Sequence, residues 1–510
     1  MALLKTLLVL LALALITTHA HDSHDEDGHN CQHDSQEFNP EILEVEDDFD
    51  YSEEGRMLAS YPNMRIATNF DKLTYGTTAF KNYVKKDLIP PVVAYFQKAL
   101  RVKAPLKTAL KLSTSVRSLC GFSVPSVLYK GVSTDHFLFF SAQSSSSSWA
   151  ASSAYCYLSA SNKRPLISSV RINTKYMLPS VNNPIVHEKN TYLLMHELTH
   201  SFGFSGSLFK YYLDSNGKTR KNHIKTVTLL GKKRTVLDIP ELTTKLRKHF
   251  GCSSLEGAYL ENNGGSGTAS SHFERRHFMN EYMTSGVMFQ QRISEFTLGV
   301  LEGSGWYAPN YDYAEPFYFG QGQGCNFLKQ SCTASSFKFQ EFCKVSSKRA
   351  CTAAGRGGGV CMSDPNSDGC KVYYPTEQYD CENPSAKSYA RLPSLQTFGR
   401  GSGSRCFDGT LSTVSNAAST TFCFKYTCKG SGSSTTLAVQ VGSKAYTCKK
   451  AGAMTISGYK GNIQCPDPLT FCKTVGASYC PRNCMGNGYC SNGHCVCYKG
   501  WKGVDCGLRI

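Results

Sequence analysis

The chain has 510 residues, 41% of them hydrophobic, with 55 Lys and Arg against 39 Asp and Glu and a formal net charge of +16. That length and apolar content suit a globular protein of about three domains and exclude a disordered tail. Nucleic acid is not the expected partner, because the basic residues are scattered and no nucleic-acid module is visible.

Residues 1–20, MALLKTLLVLLALALITTHA, join a basic start at Lys5 to a short apolar run with small residues at its end. They read as a cleaved signal peptide. No later stretch has the length of a membrane-spanning helix, and the terminal CGLRI lacks the apolar tail of a lipid anchor. The expected location is the secretory pathway, ending outside the cell or in a lysosome-like compartment. Residues 21–60 follow as an acidic, histidine-rich prosegment: His21 to Gly55 holds 14 acidic residues and no Lys or Arg. The remainder, from Arg56 on, carries 54 basic and 25 acidic residues, a formal charge of +29. Such a body suits an acidic glycan or an anionic surface as an additional partner.

The body begins as a mixed α and β region. MRIATNF reads as a strand, residues 78–110 have amphipathic helical character, and DHFLFFSAQ and PLISSVRINT read as further strands. The serine run 144–148 between those two strands is a solvated loop. A helix follows, carrying His196-Glu197-Leu198-Thr199-His200. Residues four apart share one helical face, so His196 and His200 can grip one metal ion from the same side. Glu197 lies beside them, able to take a proton from an attacking water.

A hydrolytic zinc site needs three protein ligands and an open position. In the compact metzincin pattern the third is a histidine six residues after the second, and here that position is Gly206, although the helix-breaking Gly203 is kept. The third ligand must come from elsewhere. His272 in SSHFERRHFMNEYMTSGVM is the candidate and His277 its competitor; Met283, eleven residues after His272, can form an apolar floor beneath the metal. The segment 207–270 between carries no sharp signature and closes on a glycine-rich turn at 262–267.

Of the 23 cysteines, only Cys31 lies before residue 120, leaving 22 for eleven bridges. Beyond Cys325 the close cysteine spacing, with many Gly and Ser, points to a region held by disulfides more than by a large core. Cys480, Cys484, Cys490, Cys495, Cys497 and Cys506 have the spacing of an EGF-like module.

With HELTHSFGFS, the long insertion before a third histidine, HFERR, NEYMT, ISEFTLGVLEGSGWY and a GQGCNF segment, the chain resembles the leishmanolysin family across roughly residues 60–345. The resemblance implies an α+β, metzincin-like catalytic domain with one Zn2+ on His196, His200 and His272. It implies Glu197 as general base, Met283 in the Met-turn, and protein or peptide substrates. It also implies latency through a prosegment thiol, Cys31, in an HRCxHD-like motif whose Arg is here Asn30. The expected organisation is a signal peptide (1–20), a prosegment (21–60), an N-terminal catalytic subdomain (61–206) and a central subdomain (207–324). A cysteine-rich domain (325–475) and an EGF-like module (476–510) complete it. The expected product is a secreted zinc endopeptidase made as a latent proenzyme, and an extended substrate is expected to pair with a strand such as DHFLFFSAQ. The alternative is a catalytically inactive, disulfide-rich adhesion or surface-binding protein on the same fold.

Overall fold

A computed structural model describes residues 40–47, 61–179, 183–263, 268–383, 399–401, 403–412, 420–474, 480–491, 494–503 and 505–510. The expected signal peptide, most of the expected prosegment with Cys31, and the glycines of the 262–267 turn lie outside the described residues. Five strands form the central sheet: β1 (Glu41–Leu43), β2 (Ile66–Asn69), β3 (His136–Gln143), β4 (Ala151–Ser159) and β5 (Pro165–Asn173). Their order is β1-β4-β5-β3-β2, with β4 antiparallel to β5 and the other pairings parallel. The run HFLFFS in β3 is buried throughout, as an interior strand covered on both faces must be.

Two expectations are corrected here. DHFLFFSAQ cannot pair with a substrate, because β3 is flanked by β2 and β5 and its main chain is already paired. The helical run does not reach residue 110: a π-helical turn (Tyr83–Leu88) leads into α1 (Ile89–Ala99), and Leu100–Val102 then turns extended to pair with Tyr307–Pro309. Within the stretch expected to be a prosegment, β1 pairs with the outer edge of β4, Glu41 opposite Tyr157 and Leu43 opposite Ser159.

On one face of the sheet α1 and the long helix α2 (Pro184–Phe202) bury Leu138, Phe140, Val170 and Ile172. The other face is covered by residues 106–128, which bury Phe137, Phe139, Tyr157 and Ile167. α2 starts at Asn183, whose side chain accepts the Ile185 and Val186 backbone N–H groups. From Asn190 to Phe202 it is buried all round, so it is a central rather than a surface helix. The segment without a sharp signature holds a hairpin, β6 (Ile224–Leu229) and β7 (Lys232–Leu237), joined by β8 (Ala258–Tyr259), with α3 (Pro240–Phe250) packed on α4 (Glu295–Gly303).

Eleven disulfides use all 22 cysteines after residue 119. The cysteine-rich region nevertheless has a core of its own. A six-stranded sheet buries Phe407, Phe422, Phe424, Leu437, Val439 and Ile463 against Phe471. Among the described residues no helix is long and apolar enough to cross a membrane.

Glu188, on the second turn of α2, receives both Nη atoms of Arg356 at 2.6 Å, and Arg356 also reaches Asp380 at 2.9 Å. Burial alone would push the Glu188 carboxyl up, but Arg356 and then Arg482 beside it hold it down at about 2. In the unfolded chain that carboxyl titrates near 4.5. A depressed folded pKa means that its contribution is complete above pH 4.5 and is lost as pH falls through 2, up to about 3 kcal/mol. Urea unfolding of metal-free protein between pH 5 and pH 2 should therefore show a steep loss of stability that Glu188→Gln makes shallower. Equal slopes in the two proteins would show that Glu188 is not the titrating group.

Candidate metal centre

His196 and His200 lie one turn apart on the last two turns of α2, which stops at Gly203. Gly203 has φ +146°, and a Cβ there would stand 3.0 Å from the Trp306 ring. Glycine alone lets the chain leave the helix this sharply beneath that indole. At Gly206, where the compact pattern would have its third histidine, the backbone N–H instead donates to the Ser271 hydroxyl at 2.8 Å. The inserted segment thus returns to the place a nearer ligand would occupy, with His272 next in sequence.

The three imidazoles converge. Their Nε2 atoms are 3.0 Å apart for His196 and His200, 3.1 Å for His196 and His272, and 3.2 Å for His200 and His272. Each Nδ1 faces a backbone carbonyl: Tyr282 for His196 at 2.6 Å, Phe204 for His200 at 2.6 Å, and Thr268 for His272 at 2.8 Å. A carbonyl can only accept, so each Nδ1 carries the proton and each Nε2 presents a lone pair. Three lone pairs pointed at one another in a buried space repel unless a cation lies between them. Nitrogen pairs around a tetrahedral zinc stand about 3.3 Å apart, so the donor set fits a zinc ion in chemistry and in spacing. All three rings are 4% exposed or less, and Glu197, next to His196 on the same helix, is fully buried.

His277 is not part of this group. It is buried with Nε2 against the Leu328 carbonyl at 3.0 Å and Arg276 at 2.9 Å. Burial, then the Arg276 charge, pushes its imidazole well below the ordinary range, as suits a neutral core histidine.

Met283 is fully buried in a turn between bridges that pair Glu281 with Arg292 and Phe273 with Thr284. Its carbonyl accepts the Phe273 N–H, adjacent to His272, and the preceding Tyr282 carbonyl accepts from His196. Glu281 holds the turn: Oε2 accepts the Met283 N–H at 2.5 Å, and Oε1 accepts the Ser294 and Thr297 hydroxyls. Burial pushes that carboxyl up to about 7, against the pull of these donors. The carbonyl partners of the imidazoles, and Glu281, were missed by sequence reading. Only the position of Glu281, two residues before Met283, could have hinted at one of them.

A buried cluster of three histidine nitrogens beside a glutamate on one helix defines the metallopeptidase class. The family model described as Leishmanolysin matches residues 63–374, and a Teneurin-like EGF domain matches residues 480–509. The chain belongs to the leishmanolysin family. It is 28% identical over 354 residues to a leishmanolysin-like peptidase of Caenorhabditis briggsae, covering 54% of this chain and 53% of the relative. It is 31% identical over 351 residues to a ciliated left-right organizer metallopeptidase of Mus musculus, covering 64% and 48%. A leishmanolysin homolog of Crithidia fasciculata is 27% identical over 400 residues, covering 70% and 58%. The chain spans about half the length of the curated relatives it matches.

Proposed function

We propose that the protein is a secreted, zinc-dependent endopeptidase made as a latent proenzyme, with a metzincin-type centre. In this reading His196, His200 and His272 hold the zinc, Met283 lies in the Met-turn, and residues 61–206 and 207–324 are the two catalytic subdomains. The convergence of three proton-free Nε2 atoms within 3.2 Å of one another carries the reading. When bound, zinc lowers the pKa of a coordinated water and polarises a peptide carbonyl. Glu197 then takes the proton from the attacking water and passes it to the departing amine. The Tyr282, Phe204 and Thr268 carbonyls fix the imidazole tautomers and aim each ring, so the geometry does not have to be assembled during turnover.

Extended substrate is assigned to the outer edge of β4 rather than to β3. β4 packs over α2, and among the described residues its outer main chain is paired only with the short strand β1. Main-chain pairing there suits a broad specificity. Acidic glycans or anionic surfaces fit the +29 body as additional partners.

Dialysis against a chelator tests the reading directly. One zinc per chain should be lost together with digestion of a denatured protein substrate, and zinc should restore both. Digestion that persists in demonstrably metal-free protein would overturn it. A protein that keeps its zinc yet digests nothing, even after removal of residues 21–60, would instead be an inactive binding protein on this fold.

A further inference from the structure

The C-terminal EGF-like module places two of its side chains inside the catalytic core. Met485 is 3% exposed and belongs to the same apolar cluster as α1 and α2. Arg482 is fully buried. Its guanidinium lies over the Tyr192 ring at 4.4 Å, with Nε bonded to Asp505 at 2.8 Å and Nη1 3.6 Å from Glu188. Its backbone N–H donates to Glu315 at 2.8 Å. The residue has φ +50°, a left-handed conformation that a side chain tolerates only where its surroundings dictate it. Three disulfides within residues 480–506 hold the backbone that presents it.

What Arg482 touches leads back to the metal centre. Glu188, Tyr192 and His196 are spaced four apart along α2, so they follow one strip of the helix. The Tyr192 hydroxyl donates to Glu315 at 2.8 Å, and Glu315 also accepts the Ile293 N–H at 2.8 Å. The neighbouring Arg292 carbonyl accepts the Tyr282 N–H at 2.9 Å, and the Tyr282 carbonyl accepts from His196. One continuous set of contacts therefore fixes the helix that bears His196 and the turn against which that ring is aimed. Both ends of the set meet at Arg482.

We propose that Arg482 is a positioning residue for the metal centre: the EGF-like module clamps the active-site helix through Tyr192 and Glu188, and the Met283 turn through Glu315. The module is thus part of the catalytic unit rather than an appended adhesion domain. The proposal rests on the zinc reading above and extends it to a residue some 280 positions beyond the histidine pair. A cation over the Tyr192 ring at 4.4 Å that also bonds Asp505 through Nε suits a guanidinium, and a lysine reproduces only the charge.

The test uses the full-length zinc-loaded protein as wild type, Arg482→Met and Arg482→Lys. Its readouts are kcat and KM on a peptide, the rate of zinc release to a chromogenic chelator, and the visible spectrum after cobalt substitution. Arg482→Met should lower kcat roughly 10- to 100-fold, the scale of an ångström's misplacement, with KM little changed, faster zinc release and an altered cobalt spectrum. Arg482→Lys should restore part of each. A disulfide-complete Arg482→Met protein that loses only melting temperature, with kcat, zinc release and cobalt spectrum as in wild type, overturns the proposal. If the Met variant does not fold, the Lys variant decides: altered zinc release and spectrum support the proposal, and wild-type values refute it. Should the wild type cleave no peptide, the zinc-release and cobalt measurements still decide, so failure of the peptidase reading is seen separately.

Discussion

Glu197→Gln is expected to keep one zinc per chain and to lose about 10²- to 10⁴-fold in peptide hydrolysis, the range for removing a positioned general base. The substitution is nearly isosteric in a fully buried position, and it leaves the three Nε2 donors and their carbonyl partners as they are. His272→Ala should fail differently. It deletes one of three lone pairs and the ring held by the Thr268 carbonyl, so zinc and activity should go together. His277 is the control: its ring bonds the Leu328 carbonyl, so its loss should lower stability with zinc retained. Metal analysis and kinetics on the three purified variants separate these outcomes. Stoichiometric zinc in His272→Ala with zinc lost from the His277 variant would refute the ligand set, and undiminished hydrolysis by Glu197→Gln would refute the base.

The first two histidines and their base were legible because they sit within five residues on one helix, where spacing alone dictates geometry. His272 was legible as a candidate from its spacing to Met283, but only the family's resemblance set it above His277, since 72 residues separate it from His200 and its position is set by the contact of Ser271 with Gly206. The edge strand β4 left little pattern in ASSAYCYLS. It is buried along its whole length and built partly of small residues, so it shows no polar alternation. DHFLFFSAQ was readable as a strand, but its interior place depends on crossovers that no local pattern encodes. The overrun of the helical reading has a similar cause: leucines and lysines continue past Ala99, while pairing with Tyr307–Pro309 claims Leu100–Val102 for a strand. Least legible was the Glu188, Arg356 and Arg482 cluster. In sequence its members look like three ordinary surface charges, and only the packing of the C-terminal modules against α2 makes them one buried group.

Uncleaved Cys31→Ser proenzyme should hydrolyse a short peptide at least about tenfold faster than the uncleaved wild type. Cys31 precedes Glu41 by ten residues, and β1 ties the chain down just after it. The Ala160 N–H donates to the Leu43 carbonyl and the Lys107 N–H to the Glu46 carbonyl, each at 2.9 Å, while Asp47 accepts from Ser161 at 2.6 Å. Ten extended residues reach about 33 Å, and a thiol on so short a tether acts at an effective concentration on the order of a millimolar. A thiolate with a dissociation constant near ~0.1 mM or tighter would then occupy the open zinc position about nine-tenths of the time or more. The attraction between the 14 acidic residues of 21–55 and the +29 body acts in the same direction. Asn30 replaces the arginine of the family's motif, so in this reading the tether, not that side chain, is what is expected to keep the thiol at the metal. β1 adds a second block, because it occupies the edge assigned to substrate. The Cys31→Ser proenzyme should therefore gain much less toward a long protein substrate than toward a short peptide, and removal of residues up to Asp47 should erase that difference. Equal latency of the wild-type and Ser proenzymes, each verified uncleaved, would eliminate the thiol. Equal gains on long and short substrates would eliminate the strand.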